Sequence, residues 1–94
     1  MSVQGTVTVD FGAFPGSTDL ELAVTGQAAI LSGSSVEAWL RFEATADHPL
    51  GDLIVDPPTV YAGNITAATG FIIYVTAPKN SKAYGEYKID WVWN

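Results

Sequence analysis

The residues that could do chemistry are concentrated in residues 47–52, which read Asp-His-Pro-Leu-Gly-Asp. His48 is the only histidine of the chain, Asp47 and Asp52 flank it, and Asp56 follows. A catalytic zinc usually has three protein ligands, typically several histidines or cysteines. A calcium loop places oxygen ligands at regular short spacing. This stretch matches neither pattern, so the sequence favours an ordinary polar turn, with a metal site on Asp47, His48 and Asp52 as the weaker alternative.

Other catalytic arrangements find little support in the sequence. One histidine leaves a single base for acyl transfer, and no Gly-x-Ser-x-Gly motif exposes a serine, although a triad can assemble in space. Ten acidic residues provide pairs of carboxylates of the kind that glycoside cleavage uses. A domain of this size, however, seldom forms a cleft deep enough to raise a carboxyl pKa by desolvation. The glycines of residues 12–16 lack phosphate-loop spacing. We therefore expect a protein that is not an enzyme and needs no cofactor.

Composition indicates a small folded domain that associates with other chains. The 94 residues are 48% hydrophobic and 15% charged, which is too apolar for a disordered chain, and we expect one β domain over residues 1–94. The absence of cysteine excludes disulfides and thiolate metal sites. Small domains without such supports often gain stability from partner subunits, which favours a homo-oligomer.

The charge balance argues against two classes of partner. The net charge is −6, and only Arg41, Lys79, Lys82 and Lys88 are positive. Four dispersed cations do not make the basic surface that nucleic acids or anionic membranes require. No apolar run is long enough for a transmembrane helix, and the first residues lack the layout of a signal peptide. We therefore expect synthesis in the cytoplasm.

Alternation of polar and apolar residues predicts the strands. The period of two is clear over residues 3–11, 19–25, 36–43 and 86–93. Shorter apolar runs predict weak strands at 28–31 and 53–55, an edge strand at 60–62, and a central strand at 71–75 that is apolar on both faces. A capping pattern from Ser34 to Glu37 suits a helix, but the alternation there favours a strand.

Turn residues separate these segments at short intervals. About seven or eight short strands at this spacing predict an all-β fold, either an antiparallel β-sandwich or a jelly-roll-like barrel. Asn64 begins an Asn-Ile-Thr sequence that matches a glycosylation acceptor, but without a secretory signal we interpret it as a turn asparagine.

Aromatic residues are the most informative candidates for binding. Trp39 lies on the charged face of its predicted strand, so it is an interface residue, a packing residue, or part of a ligand platform with Tyr61 or Tyr84. Trp91 and Trp93 share their face with other apolar residues, which favours the core.

Several segments together resemble small virion-associated structural proteins of tailed bacteriophages and prophages. The segments that carry this resemblance are residues 5–12, 24–27, 36–39, 47–48, 69–71 and 89–93. No motif among them has a known chemical role, so the resemblance transfers no functional residue. It implies a virion component such as a capsid decoration (cement) protein, a head fibre or spike, or a neck or tail accessory. Such proteins are commonly homo-oligomers, often trimers.

The sequence and the resemblance together predict a non-catalytic assembly protein located in the virion. We expect its partners to be further copies and other virion proteins. The candidate interface residues are Trp39, Phe71, Tyr74 and Trp93. The alternative is a carbohydrate-binding module that uses Trp39 and neighbouring acids to bind a surface glycan.

Overall fold

The computed structural model describes residues 2–13, 15–55, 57–78 and 82–94, which form six strands and one short helix. In chain order the elements are β1 (Val3–Asp10), β2 (Asp19–Val24), β3 (Val36–Leu40), α1 (Leu50–Val55), β4 (Thr59–Thr66), β5 (Gly70–Thr76) and β6 (Glu86–Trp93). They build two antiparallel three-stranded sheets, the first in the order β1-β6-β3 and the second in the order β2-β5-β4. The all-β prediction is confirmed, and the two sheets have the arrangement of a small sandwich.

The core lies between the two middle strands. Alternate residues of β5 and β6 are buried, and Ile73 and Ile89 have no exposed surface. Across the sheets, the rings of Phe71 and Trp91 meet edge to face with centroids 5.4 Å apart. The other strands add the apolar halves of their alternating patterns to this core. The predicted core positions of Trp91 and Trp93 are confirmed, since each is less than a tenth exposed.

Two predicted strands are wrong. Residues 28–31 form a turn, in which the Ile30 N–H donates to the Gln27 carbonyl and the Ile30 carbonyl accepts from the Ala68 N–H. Residues 53–55 belong to α1, where Leu53 is buried while the next two residues are exposed. Both segments are apolar runs of three or four residues, and such runs carry too little periodicity to distinguish a strand from a helix or a buried turn.

Three other segment predictions hold. Residues 60–62 lie in β4, at the edge of the second sheet, and residues 71–75 lie in β5 at its centre. The segment with the helix-like cap contains strand β3.

No helix in the described ranges is long and apolar enough to span a membrane.

Candidate functional site

The turn that carries His48 is held against the start of β6 by polar contacts. The Thr45 hydroxyl donates to the Glu86 carbonyl at 2.8 Å and accepts the His48 N–H at 3.2 Å. Asp47 Oδ2 accepts the Glu86 N–H at 2.9 Å. Gly85 makes this close approach possible, because it has a φ of 72° and a Cβ there would lie 2.5 Å from Cβ of Asp47. Asp47 thus accepts a backbone N–H of the distant residue 86, while the N–H groups of the turn itself are accepted by the Thr45 hydroxyl.

The His48 ring is buried, and it is the single buried polar side chain in the described ranges. Nε2 donates to the Tyr84 carbonyl at 2.6 Å, and Nδ1 lies 3.1 Å from Oδ2 of Asp52 in the first turn of α1. The ring stacks on the Tyr87 ring with centroids 4.2 Å apart, and it lies at 46° to the Tyr84 ring with centroids 5.0 Å apart. Both ring nitrogens therefore lie within hydrogen-bond distance of an oxygen atom of another residue.

A cavity of about 260 Å³ opens beside this ring, with Asp52, Lys82 and Tyr84 among its lining residues. A metal or a proton-transfer partner at His48 would first have to displace the Tyr84 carbonyl or the Asp52 carboxylate. Within the described ranges, no three side chains of the metal-ligating types form a group that could hold an ion. Asp47, His48 and Asp52, the weaker metal candidates of the sequence, are therefore not arranged as a metal site. Asp56 lies outside the described residues. The contacts of His48 make it a structural link between α1 and the chain that leads into β6.

A second depression, of about 280 Å³, lies on the outer face of the first sheet. Trp39 is 47% exposed there, and its register partner on β6 is Asp90. Gln4, Thr6 and Arg41 also line the depression. The Thr6 hydroxyl donates to Asp90 at 2.7 Å, and Arg41 donates to both Asp90 oxygens at 3.1 and 3.2 Å. A flat indole therefore stands beside the Gln4 amide and beside hydroxyl and charged groups that hydrogen bonds already orient.

The charges beside Trp39 form a continuous network. Arg41 Nε donates to Glu43 at 2.8 Å, and Lys88 donates to the other Glu43 oxygen. These hydrogen bonds, from Lys88 first and then Arg41, lower the pKa of Glu43. The Arg41 pKa is raised by its bonds to Glu43 and Asp90. Two cations and two carboxylates leave this network without net charge, which suits a neutral ligand better than an ionic one.

Neither Tyr61 nor Tyr84, the predicted platform partners of Trp39, is among the residues that line its depression. Tyr61 lies opposite Tyr74 on the second sheet, and Tyr84 lines the His48 cavity. The residues that line the depression with Trp39 come from β1, from β6 and, in Arg41, from the position after β3. Sequence reasoning missed Gln4, Thr6 and Asp90 because their proximity depends on strand order, and no local pattern encodes that order.

The four interface candidates separate into two groups. Phe71 and Trp93 are 2% and 5% exposed and pack in the core, so their selection as contact residues is corrected: the inner face of each middle strand already has its cover within this chain. The Trp93 N–H donates to Gln27 Oε1 at 2.9 Å. Trp39 and Tyr74, by contrast, both lie on outer sheet faces.

On the outer face of the second sheet, register partners from the three strands form short rows. Tyr74 stands between Glu21 and Tyr61 in one row, and Ile72 stands between Ala23 and Gly63 in the next. Tyr61 is 60% exposed, while Ile72 and Tyr74 are half-buried. This face is apolar and aromatic at its centre and acidic along the β2 edge.

Two comparisons with known proteins give no match for this chain. No protein-family model matches it, and no curated protein matches it. The fold alone places this chain in a structural class, that of all-β domains with two antiparallel sheets.

Proposed function

We propose that this chain is a non-catalytic structural protein that assembles with further copies and with other virion proteins of a tailed bacteriophage. The observation that carries the proposal is the outer face of β5. A middle strand that is apolar on both faces usually has cover on both sides. Here the described chain buries the inner face, while on the outer face Ile72 and Tyr74 are only half-buried and Tyr61 is exposed. Tyrosine is enriched at protein interfaces, where its ring buries a large area at a small entropic cost.

The position in the virion is proposed on the resemblance noted above, with a capsid decoration protein ahead of a head-fibre, neck or tail accessory. The acidic, cysteine-free composition is compatible with each of these roles. Mass spectrometry of purified particles of the encoding phage tests this placement. We expect the chain in a fixed ratio to the major capsid protein, and its absence from washed particles would refute the placement.

Assembly itself is tested by the mass in solution. Light scattering after size-exclusion chromatography should give a multiple of the 10.0 kDa chain at micromolar concentration. The double variant Tyr61→Ser, Tyr74→Ser should give a smaller species, because it removes both rings from the outer face. Phe42→Ser is the matched control, since Phe42 is also 60% exposed but lies just beyond β3 of the first sheet. A wild-type chain that stays monomeric at all concentrations would contradict the proposal.

A second candidate is a carbohydrate-binding module centred on Trp39. The observation in its favour is the depression in which an exposed indole adjoins the charge-balanced network of Arg41 and Asp90. Isothermal titration with a panel of neutral glycans should then give binding that Trp39→Ala abolishes and Phe42→Ala preserves. No heat with any glycan at millimolar concentration would remove this candidate.

A further inference from the structure

The backbone of β1 directs a set of hydrogen-bonding groups away from the molecule. The Phe11 N–H donates to the Gly85 carbonyl at 2.9 Å, one step beyond the register pair Asp10 and Glu86. In an antiparallel pair the residues that exchange hydrogen bonds recur at every second position. The odd-numbered residues of β1 therefore bond to β6, and the even-numbered residues, Gln4 to Asp10, direct their N–H and C=O groups to the free edge.

The other side of β6 agrees with this assignment. Ser35 and Asn94 exchange both of their backbone hydrogen bonds, and the Arg41 N–H donates to the Lys88 carbonyl at 2.8 Å. Even-numbered residues of β6 therefore bond to β3, and its odd-numbered residues remain for β1. The strand order places β1 at the edge of the sheet, with no strand beyond it in the described ranges.

Four strands lie at sheet edges, and β1 lacks the features that protect the other three, β2, β3 and β4, from pairing with another chain. Natural edge strands avoid pairing through short length, charged residues or bulges. β2 carries Asp19 and Glu21, β3 has five residues, and the β4 register shifts between Gly63 and Thr66. β1 runs through eight residues in continuous register, and its only charge is Asp10 at the end.

We propose that β1 pairs antiparallel with β1 of a second copy, which joins the two first sheets into one sheet of six strands. This proposal rests on the proposed assembly function and adds that the first partner is a second copy of the same chain. The strand is complementary to itself when Thr6 lies opposite Thr6 of the second copy. Gln4 then faces Thr8, Val3 faces Val9, and Asp10 faces Ser2. No like charges meet, although each chain carries a net charge of −6.

This pairing gives an isologous contact with a two-fold axis, in which each copy uses the same surface. It differs from the three-fold symmetry that the phage resemblance implies. A trimeric mass would contradict the proposal, since the pairing requires two chains, or a larger even number when the outer face of the second sheet also engages.

Amide hydrogen exchange on the wild-type protein tests the pairing without a mutation. The amides of Thr6 and Thr8 should exchange roughly tenfold or more slowly at about 500 μM than at about 5 μM, because pairing protects them. The Val7 amide, which bonds to β6, should be protected at both concentrations. Thr6 and Thr8 amides that exchange rapidly at every concentration would refute the pairing.

The variant Thr8→Pro tests the same contact by mass. Thr8 is exposed and its N–H faces the free edge, so proline removes an edge donor while the ladder to β6 stays intact. The matched control is Thr8→Val, which keeps the backbone N–H at the free edge and the β-branched shape of the side chain.

We expect Thr8→Pro to halve the mass of the assembled protein and Thr8→Val to leave it unchanged, both with a native circular dichroism spectrum. If wild type is oligomeric and Thr8→Pro leaves its mass unchanged, the β1 pairing fails while the assembly function stands. If wild type is monomeric at all concentrations, both fail. Should Thr8→Pro not fold, the exchange of the wild-type amides decides.

Discussion

Gly5 is the position where a single added carbon should disturb the core most directly. It lies in the middle of β1 opposite Trp91, and the indole of Trp91 packs over the glycine. A Cβ on Gly5 would lie 2.5 Å from Cζ2 and 2.8 Å from Cε2 of that ring. The ring is 7% exposed and meets Phe71 edge to face, so it has little space into which to move. Gly5→Ala therefore forces a shift in the packed layer.

The expected cost follows from two opposing effects. Overpacking of a well-packed core costs about 1–3 kcal/mol. Replacing a strand glycine by alanine also stabilises the fold by about 0.5–1 kcal/mol, because the unfolded chain has fewer conformations to lose. The net destabilisation of Gly5→Ala is thus about 0–2.5 kcal/mol, with a central value of about 1 kcal/mol. For a domain of this size, the central value corresponds to a Tm lower by roughly 4–8 °C.

Urea unfolding followed by tryptophan fluorescence measures this difference. The matched control is Gly63→Ala on β4, since a Cβ there meets no atom within 4 Å, and this variant should be as stable as wild type or slightly more stable. Trp91→Phe should lower the penalty of Gly5→Ala, because the smaller ring leaves room for the methyl group. The reasoning is refuted if Gly5→Ala and Gly63→Ala have the same free energy of unfolding.

Three further measurements separate structural residues from surface residues. His48→Ala should cost about 2–4 kcal/mol in urea unfolding, because it removes the bonds to Asp52 and to the Tyr84 carbonyl and leaves a cavity beside Tyr87; a cost below about 1 kcal/mol would contradict the linking role. Phe71→Ala should cost about 3–5 kcal/mol, whereas Trp39→Ala should stay within about 0.5 kcal/mol of wild type, and similar values would contradict their assigned burial. Because the folded chain lowers the pKa of Glu43 below its ordinary 4.5, the carboxylate stabilises the fold above that pH and loses this effect as the pH falls through the folded pKa. The Tm difference between wild type and Glu43→Gln should accordingly be largest near neutral pH and shrink in acid, and a difference that does not change with pH would contradict the network.

The strands that alternate strictly were predictable because their pattern has a direct physical cause. Successive side chains of a strand point to opposite faces, so one buried face leaves an apolar residue at every second position. This holds for β1, β2, β3 and β6, whose observed burial alternates. The double-sided apolar pattern of residues 71–75 likewise indicated the middle strand β5.

The candidate sites were less predictable because they depend on pairing between distant segments. β1 and β6 come from opposite ends of the sequence, yet their register brings Thr6 opposite Asp90. The surroundings of Trp39 follow from this pairing and from the register of β3. The two bonds of the His48 ring depend in the same way on how α1 and residue 84 approach the turn. Local propensity carries none of this information.

The proposed edge and the proposed outer face act together in one geometry. In a continuous sheet formed through β1, the inner faces of both copies point to the same side, so the two second sheets lie side by side. Their outer faces, with Tyr61 and Tyr74, then point in one direction, while both Trp39 depressions point in the other. A pair of chains would thus present the same aromatic surface twice to one partner. Two linked contacts bind far more tightly than either alone, because the second contact forms at a high effective concentration. A small face on a 94-residue chain could in this way hold firmly to a large, repeating surface.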